Sequence, residues 1–310
     1  MQSSSSNQGE VVMRVFITGA TGFIGSAIVQ ELLNVGYQVV GLARNDAAAK
    51  ALAQMGVEVH RGDLSDTQSL IAGVRDCDGI IHTAFVHDFS DYAGAGETDR
   101  RAVEAMGNAI AGSGRPFVIT SGTVVVPPGG IATEDDAGDP SSVAAPRVAS
   151  EEAVLAMASR GVRASVVRLP PSVHGDGDHG FIPALISIAR EKGVSAYVND
   201  GLNRWCAVHR LDAAHLFRLA LEKGSAGAIY HGVADEGVPV KQIAEVVGRR
   251  LNVPTIAKSS DEAADHFGWL AHFLSADCPA SSVQTQKRLG WHPTQPALIP
   301  DLDQSSYFEI

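Results

Sequence analysis

The sequence predicts an α/β protein, a doubly wound parallel sheet carrying a smaller carboxy-terminal lobe. Three observations predict it. Short β-branched runs alternate with segments of helical spacing six times between Arg14 and Leu169. The runs are apolar on both faces, as strands covered by helices on each side must be. A glycine-rich loop joins the first strand to the first helix, and right-handed crossovers leave the doubly wound order as the economical topology.

The elements follow in order. Residues 14–18 (RVFIT) open the sheet, and Ile24, Ile28, Leu32 and Val35 give residues 22–35 one apolar helical face. Residues 37–42 form the second strand, 46–55 an alanine-rich helix with Asp46 as its N-cap, and 57–60 the third strand. Ser65 is read as the N-cap of the helix through Ile71 and Val74. Residues 79–82 and 116–119 are strands separated by a helix over 99–111, with Val103, Met106 and Ile110 on one face. A helix over 150–160 leads into the strand 164–169. Beyond it the texture turns to Pro, Gly and His, with helices at 211–223 and 240–251 and a strand at 228–230 that could return to the sheet. The expected organisation is a disordered tail over 1–12 and a nucleotide-binding domain over 13–170, completed by about 207–234. Residues 171–206 and 235–310 then form a smaller substrate-binding lobe.

Bulk properties narrow the partners. Of 310 residues 45% are hydrophobic and 19% charged, an ordinary globular balance. A net charge of −11 offers no basic face for nucleic acid or an anionic membrane. Cys77, Cys206 and Cys278 have neither zinc nor redox spacing, and reduced thiols favour the cytoplasm. The first twelve residues lack the pattern of a secretory leader, and no apolar stretch approaches the roughly 18 to 20 residues that span a bilayer.

The strongest local signal is TGATGFIG at 18–25. Its glycines, Gly19, Gly22 and Gly25, suit a tight turn, close approach of backbone to a pyrophosphate, and tight packing of helix on strand. Thr21, Phe23 and Ile24 complete a loop whose helix N–H groups would face the phosphates. An NAD site usually ends the second strand with Asp or Glu, about 20 residues after the loop. This chain has Gly41-Leu42-Ala43-Arg44-Asn45 there, and Arg44 can pair with a 2′-phosphate, so the expected cofactor is NADP(H).

TGATGFIG, GLAR at 41–44, GDL at 62–64 and IIHTAF at 80–85 together resemble an extended short-chain dehydrogenase/reductase, of the NAD-dependent epimerase/dehydratase kind. The resemblance runs from Met13 to about Gly175 and implies a Rossmann fold and an oxidoreductase. Carried over by position, Asp63 and Leu64 contact the adenine; Thr83, Ala84 and Phe85 line the cofactor after the fourth strand. Thr120 and Ser121 follow the fifth, and Leu169, Pro170 and Val173 sit beside the nicotinamide.

The catalytic positions depart from that family. Its members use Ser or Thr, a Tyr acid/base, a Lys four residues later and a supporting Asn. By register, Arg147 stands at the lysine, Val143 at the tyrosine, Gly122 at the serine and Asp99 at the asparagine, a pattern similar to an atypical subgroup. Arg147 stays cationic and could hold the nicotinamide ribose. Ser121 or Thr123 could hydrogen-bond a substrate oxygen, and His174 could donate a proton near neutral pH. The pairs His82/His87 and His174/His179 lack the spacing of a zinc helix, so no metal is expected. Trp205, His209 and residues 267–269 either line an aromatic pocket or pack the second lobe. The expected activity is NADP(H)-dependent oxidoreduction of a small or medium carbonyl or alcohol, with a small molecule as the partner and a homodimer left open. Two alternatives stand: a sugar-nucleotide epimerase or dehydratase, and a non-catalytic NADP-binding sensor or scaffold.

Overall fold

The computed structural model describes residues 12–86, 91–142 and 144–309, so His87, Val143 and all of the expected tail but Val12 lie outside the described residues. β1 (Arg14–Thr18), α1 (Phe23–Asn34), β2 (Gln38–Ala43), α2 (Asp46–Gln54), β3 (Glu58–Arg61) and α3 (Thr67–Val74) alternate from the start. β4 (Gly79–His82), α4 (Tyr92–Ala109), β5 (Pro116–Gly122), α5 (Ala145–Ala156) and β6 (Arg163–Leu169) continue the pattern. Then come β7 (Ser172–His174), α6 (Phe181–Lys192), β8 (Ser195–Val198), β9 (Arg204–His209), α7 (Arg210–Lys223), β10 (Ala228–His231) and β11 (Asp235–Pro239). The chain closes with α8 (Val240–Leu251), β12 (Thr255–Lys258), α9 (Ser260–Phe267), α10 (Ala271–Ser275), α11 (Val283–Leu289) and α12 (Leu298–Leu302).

The main sheet has seven strands in the order β10-β6-β5-β4-β1-β2-β3, all paired in parallel. Side chains alternate across each strand, and β1 shows the result. Val15 and Ile17 join Ile28, Leu32, Leu216 and Phe217 of α1 and α7 on one face. Phe16 joins Leu70, Val103, Met106 and Val154 of α3, α4 and α5 on the other. Strand order reverses between β1 and β4, which opens a crevice at their carboxyl ends where ligands of doubly wound sheets bind.

Four boundaries differ from the sequence expectation. Asn45, not Asp46, caps α2 by accepting from the Ala48 N–H at 2.9 Å, while Asp46 pairs with Arg61 at 2.6 Å. Asp66, not Ser65, caps α3 through the N–H groups of Gln68 and Ser69, each at 3.1 Å. α4 begins seven residues before Asp99, capped by Asp91, which accepts from the Gly94 N–H at 3.0 Å. Gly94 and Gly96 are poor helix formers and carry no apolar periodicity, so packing rather than propensity sets that start. α5 begins at Ala145 with a proline in its first turn, where the missing N–H costs nothing.

The second lobe holds a three-stranded sheet β11-β9-β7 and a parallel pair β12-β8. Trp205 is fully buried in its core beside Phe181 and Phe273 and donates its indole N–H to the Phe273 carbonyl at 3.1 Å. Phe267 is buried there too, so these two aromatics pack the lobe, whereas Trp269 is 56% exposed.

Candidate active site

The glycine loop is shaped by contacts that exclude side chains. A Cβ on Gly19, which sits at φ +71°, would meet the Ala84 nitrogen and the Thr83 hydroxyl at 2.7 Å. One on Gly25 would fall 2.0 Å from the Gly19 carbonyl oxygen. The loop therefore lies flat against β4 while α1 closes on β1. Gly22 caps α1 with no side-chain partner, and no acidic residue occupies the first turn, which leaves N–H groups and a positive dipole end for an anion. Thr21 and Gly22 are exposed, and Phe23 and Ile24 are half-buried.

Below the loop a buried polar chain ties four elements together. The Ala84 N–H donates to the Thr18 hydroxyl at 3.3 Å, and that hydroxyl lies 2.7 Å from His82 Nδ1. His82 Nε2 is 2.9 Å from Asp99, whose other oxygen accepts from Ser150 at 2.6 Å and Arg147 at 3.4 Å. With the ring proton on Nε2, every donor finds an acceptor: Thr18 donates to Nδ1 and Nε2–H donates to the carboxylate. Burial opposes the Asp99 charge, but the hydrogen bonds from His82 and Ser150 and the charge of Arg147 outweigh it and hold the carboxyl below its ordinary range. Asp99 thus anchors the network two turns inside α4.

Arg147 is the end of that chain nearest the crevice. It donates to the Thr120 carbonyl at 2.8 Å, and its guanidinium carbon stands 4.3 Å from the Phe85 ring centroid. One turn later on α5, Glu151 holds Arg168 of β6 in a fully buried pair at 2.7 and 2.9 Å. Arg168 also donates to the Asp136 carbonyl at 2.7 Å, which fastens the loop after β5.

The remaining candidates divide. Thr83 donates to the Thr18 carbonyl at 2.8 Å, so Thr83, Ala84 and Phe85 line one wall. The Thr120 and Ser121 hydroxyls at the end of β5 are buried without a hydrogen-bond partner among the described residues, and as strand neighbours they point to opposite faces of the sheet. Thr123 instead lies 3.4 Å from the Cys206 thiol, which burial pushes up to about 12. Leu169 and Pro170 are buried and Val173 half-buried at the turn from β6 into β7. Arg44 is exposed just beyond β2. Asp63 accepts from the Ser65 hydroxyl and N–H at 2.7 and 2.9 Å, and these bonds hold its carboxyl below the usual range. Leu64 packs against the core beneath.

His174 does not join them. It is fully buried, its Nδ1 2.7 Å from Asp301 and its ring against His209 at 5.4 Å, under the carboxy-terminal helix α12. Sealed from solvent in the second lobe, it is no proton donor for the crevice.

Tyr92 escaped the sequence reading. It lies seven residues before Asp99, two helical turns, so both share one face of α4. Its ring is 5.8 Å from that of Phe85, and the charges of Arg147 and Asp99 both act on it. The D-x-x-G cap at Asp91 and Gly94 was the available signal. Arg210, at the start of α7, donates to the Ser26 hydroxyl of α1 at 3.0 Å across 184 residues, a contact with no local signature.

Comparison with known proteins accounts for the frame. Residues 15–232 match the profile of the NAD dependent epimerase/dehydratase family. The chain belongs to that family. An uncharacterized protein of Schizosaccharomyces pombe is 52% identical over 297 residues, covering 96% of this chain and all of that one. A 2-alkyl-3-oxoalkanoate reductase of Stenotrophomonas maltophilia is 30% identical, covering 80% of this chain and 78% of that one. Among solved structures, a dTDP-glucose 4,6-dehydratase of Streptomyces venezuelae with NAD bound has a TM-score of 0.76 at 23% identity, covering 95% of this chain and 96% of that one. An oxidoreductase fold with a nicotinamide dinucleotide as its cofactor follows from the family.

Proposed function

We propose that the protein is an NADP(H)-dependent reductase of small or medium carbonyl compounds with an apolar body. Arg44 carries the choice of cofactor: it is exposed immediately after β2, and no carboxylate ends that strand to hold a ribose 2′-OH. A planar guanidinium suits a 2′-phosphate. The uncapped end of α1 would take the diphosphate, and the carboxyl end of β5, where Thr120 and Ser121 stand, would border the nicotinamide. The bound, reduced cofactor supplies hydride.

This chain's residues must supply the rest. Arg147, pinned by Asp99 and the Thr120 carbonyl, would hold the nicotinamide ribose. The proton comes from Tyr92. Burial raises its pKa and keeps the phenol protonated, and the nearby Arg147 charge favours the phenolate left after transfer.

The loop after β5 supports an apolar substrate. It encloses an open cavity of about 400 Å³ lined by Val126, Pro127, Pro128, Ile131 and Ala132, with Asp136 the one charged lining residue. The aliphatic side chains of this open depression would flank an alkyl chain of the substrate. Similarity to a reductase of 2-alkyl-3-oxoalkanoates is in keeping with this.

Nucleotide titration tests the cofactor reading. NADPH should bind more tightly than NADH, and Arg44→Ala should erase about tenfold of that preference, the worth of one charge-assisted pair. Equal affinities in the unaltered protein would overturn it.

A further inference from the structure

The crevice has an unexplained cation. Arg210, the first residue of α7, reaches across to the amino end of α1, where its guanidinium carbon stands 4.6 Å from the Phe23 ring centroid. One Nη donates to Ser26 at 3.0 Å and the other to the Asp176 carbonyl at 2.7 Å, while its buried Nε has no hydrogen-bond partner. No carboxylate among the described residues forms an ion pair with it. A second basic ring, His179, meets the same Phe23 at 5.7 Å. Gly175 and Gly177 at φ +124° and +82° let the 175–180 loop, which carries His179, fold around Arg210.

Electrostatics makes this placement costly by itself. The amino end of α1 carries the positive end of the helix dipole, and a cation there is repelled. Burial also weakens the guanidinium's hold on its proton, with only Asp176 nearby to offset it. Neutral acceptors such as Ser26 and a backbone carbonyl do not cancel a charge. An anion shared by the helix end and the guanidinium would.

We propose that Arg210, at the amino end of the helix α7 that packs on α1, is a ligand of the cofactor's diphosphate, so that the bound dinucleotide bridges the amino ends of these two helices. The inference rests on the dinucleotide reading but not on the preference for NADP(H). NADPH and NADH share the diphosphate, so Arg210→Met should weaken both to the same degree, about tenfold. Arg44→Ala should weaken NADPH alone. Ser26→Ala removes the neutral hydrogen bond and keeps the charge, so both affinities should survive it and the unliganded melting temperature should show that the fold is intact. Fluorescence or calorimetric titration reads all three without turnover. Unchanged affinities in Arg210→Met would overturn the proposal, as would Ser26→Ala weakening binding as much, since Arg210 would then be only a latch. Failure of the unaltered protein to bind either nucleotide would overturn the dinucleotide reading itself.

Discussion

Replacing Asp99 by asparagine, a nearly isosteric change, should destabilise this protein. The carboxylate is 1% exposed and accepts from three donors, on His82, Ser150 and Arg147. An asparagine keeps one accepting oxygen and turns an NH₂ group towards donors. Two charge-assisted bonds at about 1.5 kcal/mol each are lost, or about 3 kcal/mol. With about 2.1 cal/mol/K of unfolding entropy per residue, a chain of 310 residues shifts by roughly 1.5 °C per kcal/mol, so the melting temperature should fall by about 5 °C. The effect has a sign in pH. Because the folded carboxyl titrates below its unfolded value, its contribution is complete above about pH 4 and disappears as pH falls through the depressed pKa. Calorimetry at pH 7 and at progressively lower pH should therefore find the gap between the two proteins closing in acid. A shift under 1 °C at neutral pH, or a gap that widens in acid, would refute the network as drawn.

Two further substitutions separate chemistry from scaffold. Tyr92→Phe should lower carbonyl reduction by roughly 10²-fold while leaving NADPH affinity intact, because only the proton source is removed; undiminished steady-state rates would exclude Tyr92 as the acid. Glu151→Gln leaves the Arg168 guanidinium buried without its anion and should cost about 3 kcal/mol of stability by denaturant unfolding. A cost below about 1 kcal/mol would show that the Asp136 carbonyl suffices.

Much of the fold was legible because it rests on short-range signals. Short β-branched apolar runs between segments of period 3.6 located the six strands through Leu169, and the glycine spacing marked the turn into α1. The start of α4 was hidden because Gly94 and Gly96 dilute the helical pattern, and Asp99 was consequently taken for a helix-start residue. That shift concealed Tyr92, which becomes part of the crevice only when α4 extends back to Asp91. His174 illustrates the opposite failure. Sequence position set it at the mouth after β6, but its partner Asp301 lies 127 residues on, and only the folded second lobe brings α12 down over it. Arg210 met Ser26 the same way, where α7 packs on α1 after 184 residues of intervening chain.

The account's central claim is that hydride passes from NADPH to a carbonyl carbon in this crevice with Tyr92 as the proton source. The most direct test is incubation with NADPH deuterated at nicotinamide C4, each face in turn, and alkyl and aryl ketones and 3-oxo acids, with the products weighed by mass spectrometry. The account predicts an alcohol carrying one deuterium, from one of the two labelled faces only, and its loss in Tyr92→Phe. NADPH that binds tightly yet leaves every carbonyl compound unlabelled would contradict it.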